Sequence, residues 1–228
     1  MKALRILLLL LLPCLLASCG ECYDPLYSTE ADGLTYVVRG SGDRARQIVV
    51  KLGDEVVWKT SIHGNRKVGN YKGVWGVEIM DLNFDGTKDI VITRAIDGDV
   101  ADVDCYLWNQ EKNSFRLSEE LSSLSNVCAR PQDKSLLAFD HSLVTHAATA
   151  DLPETYVSTD RVTKYVWKDG ILLPERRVSL SYDSEHKFYI YAVENYNEST
   201  ATFEEPEETY LSIEEYESTD FSFFYYFK

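Results

Sequence analysis

Residues 81–89 read Asp81-Leu82-Asn83-Phe84-Asp85-Gly86-Thr87-Lys88-Asp89 and carry the clearest chemistry in the chain. Oxygen-bearing side chains stand at positions 1, 3, 5 and 9 of this run. Gly86 at position 6 permits a sharp backbone turn, and Thr87 at position 7 can offer its carbonyl oxygen. Hard oxygen donors at this spacing are what Ca2+ requires. Asp81, Asp85 and Asp89 drawn into one loop would repel each other unless a cation neutralised them. The expected ligand set is therefore Asp81, Asn83, Asp85, Thr87 and Asp89. The loop is not an EF-hand, because position 12 is Ile92 where a bidentate Glu would be needed. Its flanks, Val77-Glu78-Ile79-Met80 and Ile90-Val91-Ile92-Thr93, read as strands, so the ion would staple a strand–loop–strand unit. An Asp/Asn/Gly turn without metal is the alternative. Asp97, Asp99, Asp102 and Asp104 form a second acidic cluster, read in preference as a solvated turn.

Other constellations are weaker. Asp140-His141-Ser142 with His146 is the densest group of catalytic residue types. Its two histidines are five apart and no Glu follows the first, so it is not an H-E-x-x-H zinc site. On a strand that spacing puts them on opposite faces. Gly40-Ser41-Gly42 lacks the nucleophile-elbow pattern. The abundant carboxylates define no glycosidase pair. No catalytic residue is assigned, and the chain is expected not to be an enzyme. Trp58, Trp75, Trp108 and Trp167 fit core or cross-strand packing in the first instance, with a sugar-stacking platform as the other reading.

The elements that position these residues read as all-β. Strand-like runs recur at Leu34–Arg39, Gln47–Leu52, Glu55–Ile62, Trp75–Leu82, Asp89–Thr93 and Cys105–Trp108. More follow at Leu136–Phe139, Leu143–Ala147, Val162–Trp167, Arg177–Tyr182 and Lys187–Val193. Gly53-Asp54, Gly64-Asn65, Asp85-Gly86, Asp97-Gly98 and Asp169-Gly170 punctuate them, and the last is a hairpin signal. Ser118–Ser125 is the only helix-like piece. The spacing fits a sandwich, barrel or propeller-like array, without the exact repeat of a regular multi-blade propeller. The expected division is 1–18 leader, 19–33 tether, 34–193 all-β calcium-binding domain and 194–228 an acidic segment ending in Phe221-Ser222-Phe223-Phe224-Tyr225-Tyr226-Phe227. That aromatic end reads as a closing strand, and the acidic run before it as a solvated face or flexible segment.

The chain has 228 residues, is 45% hydrophobic and carries a formal charge of −14. It can build a real core. Its acidity argues against nucleic acid, which needs clustered cations, and favours cationic partners. Lys2 and Arg5 precede an apolar run that is too short to span a bilayer as a stop-transfer helix. The run ends in Leu16-Ala17-Ser18-Cys19, which resembles the bacterial lipobox. By that resemblance Cys19 is acylated and anchors the chain to a membrane, and Glu21 favours the outer membrane, facing the periplasm or the cell surface. Export exposes Cys22, Cys105 and Cys128 to an oxidising space. Cys105–Cys128 is the natural disulfide, worth roughly 3 kcal/mol by loop entropy; three free thiols are the alternative.

The D-x-N-x-D-G-x-x-D loop between strands resembles the calcium loops of FG-GAP and integrin-type propeller repeats. Tyr106-Leu107-Trp108, Phe115, Leu121-Ser122-Ser123-Leu124 and Lys164-Tyr165-Val166-Trp167-Lys168-Asp169-Gly170 follow. That order resembles a family of exported bacterial lipoproteins with an incomplete β-propeller-like fold and one calcium site. The resemblance spans residues 34–180, and the calcium loop is its specific part. A member of that family is the immunity protein for a peptidoglycan-cleaving type IV effector and inhibits a lysozyme-like glycosidase. The resemblance implies a calcium-binding envelope lipoprotein that binds another protein, with a cell-wall glycosidase as the expected partner. The family's inhibitory loop has no alignable counterpart, so no inhibitory residue is carried over. The rival is a surface glycan-binding or adhesion lipoprotein.

Overall fold

The computed structural model describes residues 23–42, 44–62, 77–98, 100–148 and 154–219. The chain divides into two compact units, Met1–Lys67 and Val68–Lys228. Both are built from antiparallel sheets, and among the described residues these do not close into a propeller. Cys19, Cys22 and the aromatic end 221–227 lie outside the described residues.

The first unit is a four-stranded meander in the order β1 (Asp24–Ala31), β2 (Leu34–Ser41), β3 (Arg44–Leu52) and β4 (Glu55–Ser61). Its central strands carry near-continuous apolar runs. Tyr36, Val37 and Val38 are buried on β2, and Ile48, Val49 and Val50 on β3. Neighbouring strand residues point to opposite faces, so both faces of these strands are shielded from water. Each such side chain contributes about 1.5–3 kcal/mol by leaving water. The structure corrects the expected tether, because Asp24–Ala31 is a strand. Asp32 and Gly33 form its hairpin turn at φ 51° and 76°, the left-handed geometry that suits two-residue loops.

The second unit begins with a four-stranded sheet, β5 (Val77–Met80), β6 (Asp89–Asp97), β7 (Val100–Asn109) and β8 (Ser114–Ser118), paired in that order. A short helix, α1 (Glu119–Ser122), follows. Ser118 caps it by accepting from the Leu121 N–H, which satisfies one otherwise orphaned donor. A seven-stranded sheet then runs β9 (Cys128–Arg130), β10 (Ser135–His146), β11 (Thr155–Lys168), β12 (Ile171–Asp183) and β13 (Phe188–Asn197). The outer edge of β13 pairs with β14 (Thr202–Phe203) and β15 (Glu207–Leu211). The helix α2 (Ile213–Ser218) ends the described chain, opened by a Ser212/Glu215 capping box.

Leu136 and Leu137 show how β10 divides two cores. Leu136 joins Leu82, Val91, Val103, Cys105, Leu121, Val127 and Leu172. Leu137 lies with Phe139, Val162 and Leu180. Adjacent strand residues face opposite ways, so the seven-stranded sheet is packed on both sides. The expected break between Leu136–Phe139 and Leu143–Ala147 does not exist, because one strand runs through Asp140-His141-Ser142. The Asp169-Gly170 hairpin is present: Lys168 pairs with Ile171 and the turn residues sit at φ 51° and 78°.

Of the two readings of the acidic segment, the solvated face fits: residues 194–219 finish β13 and run through β14, β15 and α2, with most of their side chains exposed. Glu194 pairs with Arg177, whose guanidinium also lies 4.0 Å from the Phe203 ring centroid. Glu198 pairs with Lys168. An aromatic series, Tyr156–Tyr182–Tyr189–Tyr216, crosses from β11 to α2 at centroid spacings of 6.0, 4.9 and 3.8 Å.

Candidate metal centre

The loop of residues 81–88 joins β5 to β6, the place expected for it between two paired strands. Phe84 and Gly86 adopt φ 57° and 92°. Glycine enters that region without penalty, and at Phe84 the loop accepts the cost of a left-handed turn.

Each expected ligand has a defined place. Asp81 Oδ2 accepts from the Gly86 N–H at 3.0 Å. Its Oδ1 is buried and has no hydrogen-bond partner. Asn83 Oδ1 accepts from the Asp85 N–H at 3.2 Å, and its amide donates to Asp85 Oδ2 at 2.9 Å. Asp85 Oδ1 accepts both the N–H and the hydroxyl of Thr87, at 2.8 and 2.6 Å. Burial pushes the Asp85 carboxyl up, but the hydrogen bonds from Thr87 and Asn83 outweigh it and hold the group below its usual value.

Asp89, at the start of β6, is fully buried. Its Oδ2 accepts from the Leu82 N–H at 2.8 Å and its Oδ1 from the Trp108 N–H at 2.9 Å. One side chain thus ties the first residues of the loop to the end of β7. Desolvation raises its pKa from 3.8 to about 7; the two N–H donors pull it down, and the charges of Asp85 and Asp81 add to the rise. A carboxyl held this high signals above all a dry place, with two neighbouring carboxylates adding to the cost of its charge.

Among the described residues, no three His, Cys, Asp or Glu side chains converge in an arrangement that could hold a metal ion. The hydrogen bonds give the reason. Asp89 turns both oxygens to backbone N–H groups, and Asp85 is occupied by Thr87 and Asn83. The donor chemistry nonetheless fits a hard cation: three carboxylates, one of whose oxygens (Asp81 Oδ1) is unpartnered, and an amide oxygen fall within residues 81–89. A buried carboxylate oxygen without a donor is costly, and a bound cation is one thing that would satisfy it.

Two residues that anchor the loop were not expected in that role. The Trp167 Nε1–H on β11 donates to the Leu82 carbonyl at 2.8 Å, from 85 positions away. The Trp108 backbone N–H holds Asp89 from 19 positions away. Neither leaves a local sequence signal, because both contacts come from tertiary pairing. Beside the loop is a groove of about 730 Å³, lined by Asn83, Asp85, Trp108, Asn109, Arg116 and Trp167 among others.

The remaining candidates fall apart as sites. Asp102 and Asp104 do not sit in the expected turn but on β7, where they pair with Arg94 of β6 at 3.8 and 3.0 Å. His141 Nδ1 meets Asp160 at 2.8 Å, and all of His141–His146 is exposed. The Cys105–Cys128 disulfide is not formed; both are free thiols. Cys105 is sealed in the cluster around Leu82, whereas Cys128 packs against the cluster around Phe139. Burial, with Asp104 and Asp89 nearby, pushes the Cys105 thiol up to about 12, which makes it a packing residue rather than a nucleophile.

No family model matches the chain, and no curated protein matches it. Among solved structures, one described as a Xanthomonas type IV secretion system related protein is similar, with a TM-score of 0.44 and 12% identity. The match covers 82% of this chain and 97% of that one. At that TM-score and identity, the likeness assigns neither the details of the fold nor a function.

Proposed function

We propose that the chain is a non-enzymatic envelope lipoprotein whose 81–89 loop takes up Ca2+, and that it works by binding another protein. The observation that carries the reading is Asp81 Oδ1, buried without a donor in the same loop as Asp85 and Asp89. Ion entry requires Asp85 to exchange its Thr87 and Asn83 hydrogen bonds for the cation. Asp81, Asn83 and the Thr87 carbonyl would complete the set. Asp89 would keep its two N–H contacts while its ionised form is stabilised. The ion's contribution is charge neutralisation; no chemical step is assigned to it.

A peptidoglycan-cleaving glycosidase is the proposed partner. The support is the net charge of −14, which would draw a basic hydrolase toward the chain and speed encounter. The test is peptidoglycan turnover by a panel of lysozyme-type enzymes with the chain added, in calcium and in chelator. Stoichiometric inhibition that weakens in chelator is expected. Full turnover by every enzyme would remove the inhibitor role. The second reading, glycan binding, draws support from the groove where Trp108 and Trp167 stand beside Asn83 and Asn109; aromatic faces with amides suit sugars. Binding to a glycan array without any inhibition would favour it.

A further inference from the structure

β10, with twelve residues, outruns its neighbour β9, with three. It pairs with β11 over its whole length, from Ser135↔Val166 to His146↔Thr155. On its other side, β9 covers only Ser135–Leu137. The Phe139 N–H is then taken by the Ser125 carbonyl at 3.0 Å. Beyond that, no described strand pairs with the outer edge of β10. Residues 141–146 are all exposed, and Leu143 and Val144 expose 57% and 54% of their surface.

An open edge of this kind invites another strand. Natural sheets guard such edges with lysines, prolines, bulges or brevity. His141-Ser142-Leu143-Val144-Thr145-His146 has no lysine and no proline, and its pairing with β11 runs without a bulge. Its side chains are β-branched or apolar at the centre, which suits strand pairing.

We infer that this edge pairs antiparallel with the same edge of a second copy, about a two-fold axis at Leu143. In such a pair, directly opposed residues share a face, so each pairs with its mirror position around the axis. Leu143 then meets Leu143 of the second copy. Ser142 meets Val144, His141 meets Thr145, and Asp140 meets His146. The register places an apolar contact at the axis, opposes no like charges and sets Asp140, whose carboxylate also pairs with Arg161 at 3.1 Å, against each terminal imidazole. A centre one residue further on would lose the Asp140–His146 match. Space exists at that end of the edge: a cavity of about 440 Å³ lies between His141 and the β6–β7 turn, with Asp97 and Asp102 on its wall. The product is one continuous sheet across two molecules.

The test is sedimentation equilibrium of the purified full chain in density-matched detergent, with two variants and a cross-linking readout. The wild type is expected to self-associate reversibly to a dimer. Leu143→Arg puts two cations face to face at the axis and should weaken association about tenfold or more. Its melting temperature should match that of the wild type at concentrations low enough for both to be monomers, because the side chain is exposed. Under mild oxidation, Leu143→Cys should cross-link between copies far faster than Val144→Cys or the wild type, since position 143 alone meets itself. A monomer at every concentration, a dimer indifferent to Leu143→Arg, or faster cross-linking at 144 than at 143 would overturn the inference.

Discussion

Asp89 does two things that oppose each other. Its oxygens satisfy the Leu82 and Trp108 N–H groups, so Asp89→Ala leaves two donors without partners. Each orphan costs roughly 1–3 kcal/mol. Urea unfolding should show that loss in chelator, and a larger one in calcium, where the ion's stabilisation of the ionised group is lost as well. The ionised form, however, sits where burial and the charges of Asp85 and Asp81 hold its pKa at about 7 rather than 3.8. A carboxyl raised in the folded state costs stability once it ionises. Without calcium, the melting temperature should therefore fall as pH rises from about 4 to about 7, and calcium should offset that fall. Melting curves across this range, with and without chelator, check the sign; a rise with pH in chelator would contradict it. Asp85→Ala removes the acceptor for Thr87 and should abolish the calcium-dependent gain in melting temperature.

At the scale of elements, the loop depends on strands distant in sequence. Trp167→Phe keeps the ring packing but removes the N–H that the Leu82 carbonyl uses. A loss of about 1 kcal/mol in urea unfolding is expected. Gly40 tests the first unit separately. It sits at the register shift where β2 passes β3, and a Cβ there would lie 1.9 Å from the Arg44 carbonyl oxygen and 2.7 Å from Leu26 Cδ1. Gly40→Ala should destabilise the meander by about 1–3 kcal/mol or more, seen as faster amide exchange in β2 and β3. The central strands were legible because runs such as Ile48-Val49-Val50 leave no other place to go. β1 was not, since Asp24-Pro25 and Asp32-Gly33 look like punctuation of a tether, yet the second pair is a hairpin turn. β9 and β14 have three and two residues, too few for any periodicity. Asp140-His141-Ser142 looks like a turn and is extended, because twelve-residue pairing with β11 overrides local preference. In the loop, spacing made five residues legible as one group. That Asp89 would be consumed by backbone donors was hidden, because Trp108 reaches it only through the sheet.

For the whole molecule, charge and the loop are the two levers. A body of net charge −14 should capture a basic hydrolase through long-range attraction. The association rate would then fall steeply with ionic strength while dissociation changes little; stopped-flow mixing at several salt concentrations measures this. Glu194 and Glu198 contribute less to that field than their charges suggest, being paired with Arg177 and Lys168. Whether the 81–89 loop is a metal staple is tested most directly by titrating calcium into the chelator-washed chain in a calorimeter, with Asp85→Ala alongside. Saturable heat from a single site in the wild type and none in Asp85→Ala is the predicted result. No heat in the wild type, together with a melting temperature indifferent to chelator, would contradict the account and leave the loop as an Asp/Asn/Gly turn held by its own hydrogen bonds.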